Sequence, residues 1–330
     1  MKKLLFCALL IALFITGCSS ATPLSNPSPV PTATDQPHPT STPEPKVATV
    51  PKLAFEIKNE SDPLYAPYGI ALDSSGKIYV NDAGNSRVLV FDDAGTLLAK
   101  WDRQGSGEGE FNSMGFGGIA IDGNDNVFVV DNGNHRIQKF DTGGKFLTQW
   151  GSEGTEDGQF VRAIGIAVDR EGNVYVTDDG NPFVQKFDNN GQFLMKWGGK
   201  GNGDGQFNHA TGIAVDTQGN IFVSDYENKR AQKFDGQGNF IVAWRLGADI
   251  KVTGTPEGIA IDNQSRVYIA DYALGRIQVF DNDGNLLWSW GTKSISNSLF
   301  RKPVAIALDT QGHFYVVNQA TNNVQVFNLP

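Results

Sequence analysis

A pentad of small and branched apolar residues ending in aspartate recurs six times along the chain. It reads GIALD at 69–73, GIAID at 118–122, GIAVD at 165–169 and 212–216, GIAID at 258–262 and AIALD at 305–309. The terminal aspartates lie 49, 47, 47, 46 and 47 residues apart, and so regular a period means one supersecondary unit built repeatedly. Each pentad leads into a turn, an alternating run such as NVYVTD (173–178), a loop, and a second run such as RIQKFD (136–141). Another turn follows, then a run ending in tryptophan. Period-two alternation of β-branched and aromatic residues specifies strands. Four short strands per unit and six units predict an all-β fold, a six-bladed β-propeller with four-stranded antiparallel blades.

The turns agree with this reading. DSSGK, DREGN, DTQGN, DTGGK, DNNGQ and DNDGN place glycine three residues after aspartate, where a tight hairpin needs positive φ. DGNDN at 122–126 resembles a calcium loop in isolation, but its equivalents are hairpins, and it is read as one.

The sixth unit stops at VQVFNLP, after its third strand, while an orphan run, KLAFEIKN (52–59), precedes the first unit. Phe55 lies 18 residues before Asp73, as Trp150, Trp197 and Trp244 lie 19, 19 and 18 before Asp169, Asp216 and Asp262. Phe55 therefore takes the tryptophan position. The N-terminal strand is expected to complete the last blade and close the ring without an unpaired edge. Ala71, Ala120, Ala167, Ala214, Ala260 and Ala307 recur in the first strand of each unit and are read as the small residues that crowding round the axis demands. Trp101, Trp150, Trp197, Trp244 and Trp290 are read as inter-blade packing.

Three segments, GIAVD (165–169), GNVYVTD (172–178) and NHRIQKFD (134–141), together with the closing Trp-Gly, carry a pattern that resembles the NHL repeat. Asn134-His135-Arg136 stands at the place of that repeat's Asn-His-Leu loop. The resemblance covers 52–330 and implies a propeller. It is poorly specific for function, because such propellers include binding scaffolds, sensor domains, RNA binders and a few lyases.

The first fifty residues are of another kind. MKKLLFCALLIALFITGC has two lysines, a short apolar run and Thr16-Gly17-Cys18. The run is too short for a mature membrane-spanning helix, and Ile15–Cys18 resembles a bacterial lipobox. Residues 1–17 are thus expected to be a lipoprotein signal peptide, and Cys18 the lipidated residue. The other cysteine, Cys7, lies within the signal, so no disulfide is expected in an exported domain. The Ser/Thr/Pro-rich 18–51 has little to bury and reads as an extended tether. The expected location is outside the cytoplasm, anchored to a bacterial membrane by lipid alone.

Several chemistries are disfavoured. Loss of Lys2 and Lys3 with the signal takes the formal charge from −9 to −11, which repels phosphate and argues against nucleic-acid partners. Residues 52–330 contain no cysteine, and no Gly-x-Ser-x-Gly elbow occurs. GGKGNGDG (198–205) joins two blades and opens no helix, so it lacks the mechanism of a phosphate loop. His135 and His209 belong to the face of variable loops, and His313 to the face of short hairpins. Three zinc ligands cannot come from two faces. No cofactor is expected, although calcium or zinc in the central channel stays open.

Nine residues after each pentad aspartate stands Asp82, Asp131, Asp178, Asp225, Asp271 or Asn318. Fourteen after it stands Arg87, Arg136, Phe183, Arg230, Arg276 or Asn323. The acid–arginine pairs are read as structural locks on the loop between the second and third strands. The third unit keeps its acid, adds Asp179 and puts Phe183 in place of the arginine, which suits an incoming cation or basic partner group. The same face carries Tyr226, Tyr272, Tyr68, Arg162, His209, Glu257 and Lys302. With Asp178, Asp179 and Phe183 these form the candidate ligand-binding set. Its mixed aromatic and charged character favours a non-catalytic scaffold for an envelope protein, peptide or glycan. The alternative is an exported metal-dependent lyase or lactone hydrolase with its site at the central channel.

Overall fold

The computed structural model describes residues 51–329 apart from 59, 114, 116, 248–251 and 292–298. The expected signal peptide, Cys18 and all of the tether but Pro51 lie outside the described residues. Six four-stranded antiparallel sheets make up the rest. The first blade contains Gly69–Leu72, Ile78–Asp82, Arg87–Phe91 and Leu97–Trp101, and the same order recurs in the next four. The sixth contains Pro303–Leu308, His313–Asn318 and Asn323–Asn328, and its outer strand is Lys52–Ile57 from the other end of the chain. That strand pairs antiparallel with Asn323–Asn328 in the register Lys52 to Asn328 and Ile57 to Val324.

The core is divided into packed layers between blades. Second strands are buried throughout, whereas fourth strands expose part of their length. Trp101 stacks on Phe140 of the following blade at 5.2 Å, and Trp150, Trp197 and Trp244 meet Phe187, Phe234 and Phe280 at 5.8, 5.9 and 5.8 Å. Each of these tryptophans lies against a hairpin glycine of the next blade; a Cβ on Gly144 or Gly191 would sit 2.4 Å from Trp101 or Trp150. Phe55 covers Gly95 in the same way, so it does the tryptophan's packing at the closure.

At the axis, the reading of the alanines needs correction. The alanines pack between blades, opposite the branched side chains of the next one. The crowded position is the pentad's glycine: a Cβ on Gly212 or Gly258 would lie 2.2 or 2.5 Å from the carbonyl oxygen of Glu257 or Val304 in the neighbouring first strand. Only hydrogen at that position permits such an approach. Ile70, Ile119, Ile166, Ile213, Ile259 and Ile306 then line an axial channel of about 120 Å³.

Candidate functional site: a cleft at the mouth of the axis

The loop between second and third strands is held shut from within. Asp82, Asp131, Asp225 and Asp271 are fully buried and accept the Nε of Arg87, Arg136, Arg230 and Arg276 at 2.7, 2.8, 2.9 and 3.1 Å. Each also accepts a backbone amide from the preceding connector, that of Tyr65, Asn112, Asn208 or Thr255. Asn318 takes over the second duty, receiving the amide of Arg301 at 3.0 Å. Charge-assisted bonds to a buried acid fix both loop and connector. A ring of glutamines shares the work: Gln138, Gln185 and Gln232 accept the amides of Gly109, Gly158 and Gly205.

The third blade departs from this pattern differently from what the sequence led us to expect. Asp178 does not face an incoming ligand. It is fully buried and accepts four backbone amides, from Val161, Arg162, Gly180 and Asn181, at 2.9, 2.8, 3.1 and 3.2 Å. Burial pushes its pKa up, and these amides oppose the rise. Phe183 takes the arginine's register opposite Asp178. Its ring lies under the Lys196 ammonium at 5.3 Å, away from the axis. Neither residue lines the cavity at the mouth of the axis.

Asp179 does. Its side chain is 2% exposed and pairs with the guanidinium of Arg162, from the connector before the blade. The acid added beside Asp178 thus takes a cation from outside the loop. His209 Nδ1 lies 3.1 Å from Asp179 Oδ1 without the alignment of a hydrogen bond, and that oxygen is buried with no hydrogen-bond partner among the described residues.

Arg162, Asp179 and His209 form one side of a cavity of about 230 Å³ whose other walls include Tyr68, Tyr226, Tyr272 and Glu257. Seven of the ten expected residues therefore meet around one space, drawn from four blades or the connectors leading into them. Tyr226 and Tyr272 stand 6.1 Å apart with planes inclined at 60°, and His209 extends this wall at 6.3 Å from Tyr226. Lys302 sits outside it, its ammonium 5.4 Å from the Tyr272 ring, and Lys229 covers Tyr226 at 4.6 Å.

Glu257 is the buried acid of the cleft, 6% exposed. The Tyr68 hydroxyl donates to its Oε1 across the axis. Oε2 accepts no hydrogen bond from the described residues. Burial pushes the Glu257 pKa up to about 7, with the Tyr68 hydrogen bond and the Lys229 charge acting in the opposite direction. A carboxyl that changes charge near neutrality can bind a cation, or accept and return a proton.

Ile164, Thr211, Val304 and Gln319 also line the cavity and were not expected. The first three share a signal that could have found them: they immediately precede their pentads, as do Tyr68 and Glu257. A second groove of about 630 Å³ shares Gln319 with the cavity and runs past Gly84, Ser86, Asn112 and Ser113.

The residues do not fit a metal in the channel. Its side chains are predominantly isoleucine, and no three His, Cys, Asp or Glu side chains converge as ligands among the described residues. At 122–126, Asp122 Oδ1 is engaged by the hairpin amides of Asn124 and Asn126, both at 2.9 Å.

Residues 69–150 match a family model described as a 6-bladed beta-propeller, and residues 207–234 match the NHL repeat. No curated protein matches the chain in sequence. Among solved structures, the chain is similar to a gluconolactonase from Xanthomonas campestris at 16% identity and a TM-score of 0.62, covering 87% of this chain and 95% of that one. It is similar to a streptogramin B lyase at 12% identity and 0.61, covering 84% and 97%. For virginiamycin B lyase from Staphylococcus aureus the values are 12% and 0.57, covering 83% and 87%. At such identities the likeness is one of fold.

Proposed function

Because the chain is a six-bladed β-propeller carrying NHL-type repeats, we propose that it is an exported binding scaffold whose variable face captures a peptide segment of an envelope partner. The observation that carries this is the convergence of Tyr68, Tyr226, Tyr272, Glu257, Asp179, Arg162 and His209 on one cleft at the axis. Aromatic rings with fixed charges beside them supply much area at small conformational cost, as recognition surfaces do. The adjoining groove along Gln319 gives an extended chain a place to continue. Attachment through lipidated Cys18 and the 18–51 tether completes the proposal.

The test is capture of random peptides and glycans on arrays by the full-length chain and by a Tyr226→Ala/Tyr272→Ala variant. Retention of a peptide class by the wild type and its loss in the variant, at similar melting temperature, supports the reading. A preference for glycans, or equal retention by both proteins, overturns it. Cys18→Ser should release the protein from membranes into the soluble fraction; continued attachment refutes the anchor.

A second reading, an exported lyase or lactone hydrolase, draws on Glu257, whose carboxyl titrates at about 7 in the cleft, and on similar folds that include lyases and a gluconolactonase. Such an enzyme would transfer protons at Glu257, with His209 lining the same cleft. Turnover of lactones or macrocyclic esters that Glu257→Gln abolishes would favour it over the scaffold.

A further inference from the structure

The cleft holds two carboxylate oxygens that accept no hydrogen bond from the described residues. One is Glu257 Oε2, in a residue that is 6% exposed. The other, Asp179 Oδ1, is buried without a hydrogen bond. Leaving an ionised acceptor buried and unsatisfied is costly, and both oxygens belong to residues that line the same cavity. The groups already beside them are the Tyr68 hydroxyl on Glu257 Oε1, Arg162 on the other Asp179 oxygen, and His209 Nδ1, 3.1 Å from Asp179 Oδ1 without hydrogen-bond alignment.

The positive charges nearby are already engaged. Arg162 is bound to Asp179. Lys229 lies over Tyr226 with Glu227 at 3.7 Å. Lys302 lies over Tyr272. These lysines also show how the rings behave: the fold itself seats ammonium groups against Tyr226 and Tyr272, as the negative face of an aromatic ring favours. An anion entering here would meet Glu257 and Asp179 in a space from which water screening is largely removed.

We propose that the axial cleft receives the cationic head of its ligand, an ammonium or guanidinium group such as a lysine or arginine side chain of the captured peptide. The head donates to Glu257 Oε2, is favoured by the nearby charge of Asp179, and packs against Tyr226 and Tyr272. The hydroxyl of Tyr68, from the connector into the first blade, holds Glu257 in position. This rests on the reading of the variable face as a peptide-binding surface and specifies which residue of the peptide anchors it.

The test uses the full-length chain at pH 8 and low salt, with saturation-transfer NMR of four probes: the Nα-acetyl methylamides of lysine, arginine, norleucine and glutamate. Binding of the lysine or arginine probe at least about ten-fold stronger than that of norleucine, with the glutamate probe weakest, is expected. Glu257→Gln, which keeps the shape and the Tyr68 contact, should abolish that preference, and Asp179→Asn should reduce it. Equal binding of lysine and norleucine, stronger binding of glutamate, or an undiminished preference in folded Glu257→Gln overturns the inference. If both variants fail to fold, the wild-type ranking of the four probes still decides. Peptide capture that depends on Tyr226 and Tyr272 but ignores charge sinks this inference alone. Capture unaffected by those tyrosines sinks the reading beneath it.

Discussion

Tyr79, Tyr175, Tyr268 and Tyr315 each send their hydroxyl to the hairpin aspartate of their own blade, at 3.0, 3.0, 3.2 and 3.1 Å. Phe128 and Phe222 stand in the equivalent places and cannot. In those two blades an asparagine from the next blade does it instead: Asn189 donates to Asp122 at 3.0 Å and Asn282 to Asp216 at 3.2 Å. Each asparagine also accepts the ammonium of Lys139 or Lys233. Removing the amide takes one donor from Asp122, which keeps that of Asn126, and leaves the buried Lys139 without its side-chain acceptor, so Asn189→Ala should cost about 1–3 kcal/mol in chemical denaturation. Phe128→Tyr in the same chain should restore part of that loss, and the double-mutant cycle measures how much. Glu257 makes a prediction of opposite character. Its pKa is raised from 4.5 to about 7 in the folded state, so the folded chain binds more protons than the unfolded chain between those values. Stability contributed by this group is full below about 4.5 and is lost as pH rises through about 7. Glu257→Gln should therefore match the wild type near pH 5 and exceed it at pH 8, by up to about 3 kcal/mol. An unchanged difference across that range would show that Glu257 titrates normally.

At the scale of elements, the loop between second and third strands is the unit that the sequence both revealed and concealed. The acid–arginine locks were legible because both partners sit in one loop, five residues apart, and recur in register. Phe55 at the closure was legible for the same reason: a periodic position remains recognisable at the far end of the chain. The pairing of Asp179 with Arg162 was hidden, since it joins a loop to a connector 17 residues earlier and occurs once. The contact of Tyr68 with Glu257 spans 189 residues, and no local pattern encodes burial of that carboxyl. Asp178 was misread because loss of its arginine seemed to leave it open, whereas backbone amides fill its acceptor sites. Asp178→Asn replaces an acceptor oxygen by a donor against amides that also donate. It should lower stability by about 1–3 kcal/mol while leaving capture by the folded protein unchanged. If Asp178→Asn melts like the wild type, the four amides do not depend on its charge.

Across the whole molecule, each blade packs on two neighbours and the ring has one non-covalent seam, Lys52–Ile57 against Asn323–Asn328. Deleting 52–57 exposes that edge and strips Phe55 from Gly95. We expect the shortened chain to lose its single cooperative melting transition and to form oligomers on size exclusion, because an open strand edge recruits a second chain. A monomer with wild-type melting would mean that the remaining inter-blade layers hold the ring without its seam.

The closing strand also sets a direction. Lys52 pairs with Asn328, and the next residue, Leu329, donates its amide to Gly312 of a hairpin, at 2.8 Å. Chain entry is therefore on the hairpin side, whereas the cleft of Glu257 and the tyrosines opens on the other. The strand that begins at Lys52 thus starts at the hairpin end of its blade, and the cleft lies at the end where the same strand finishes.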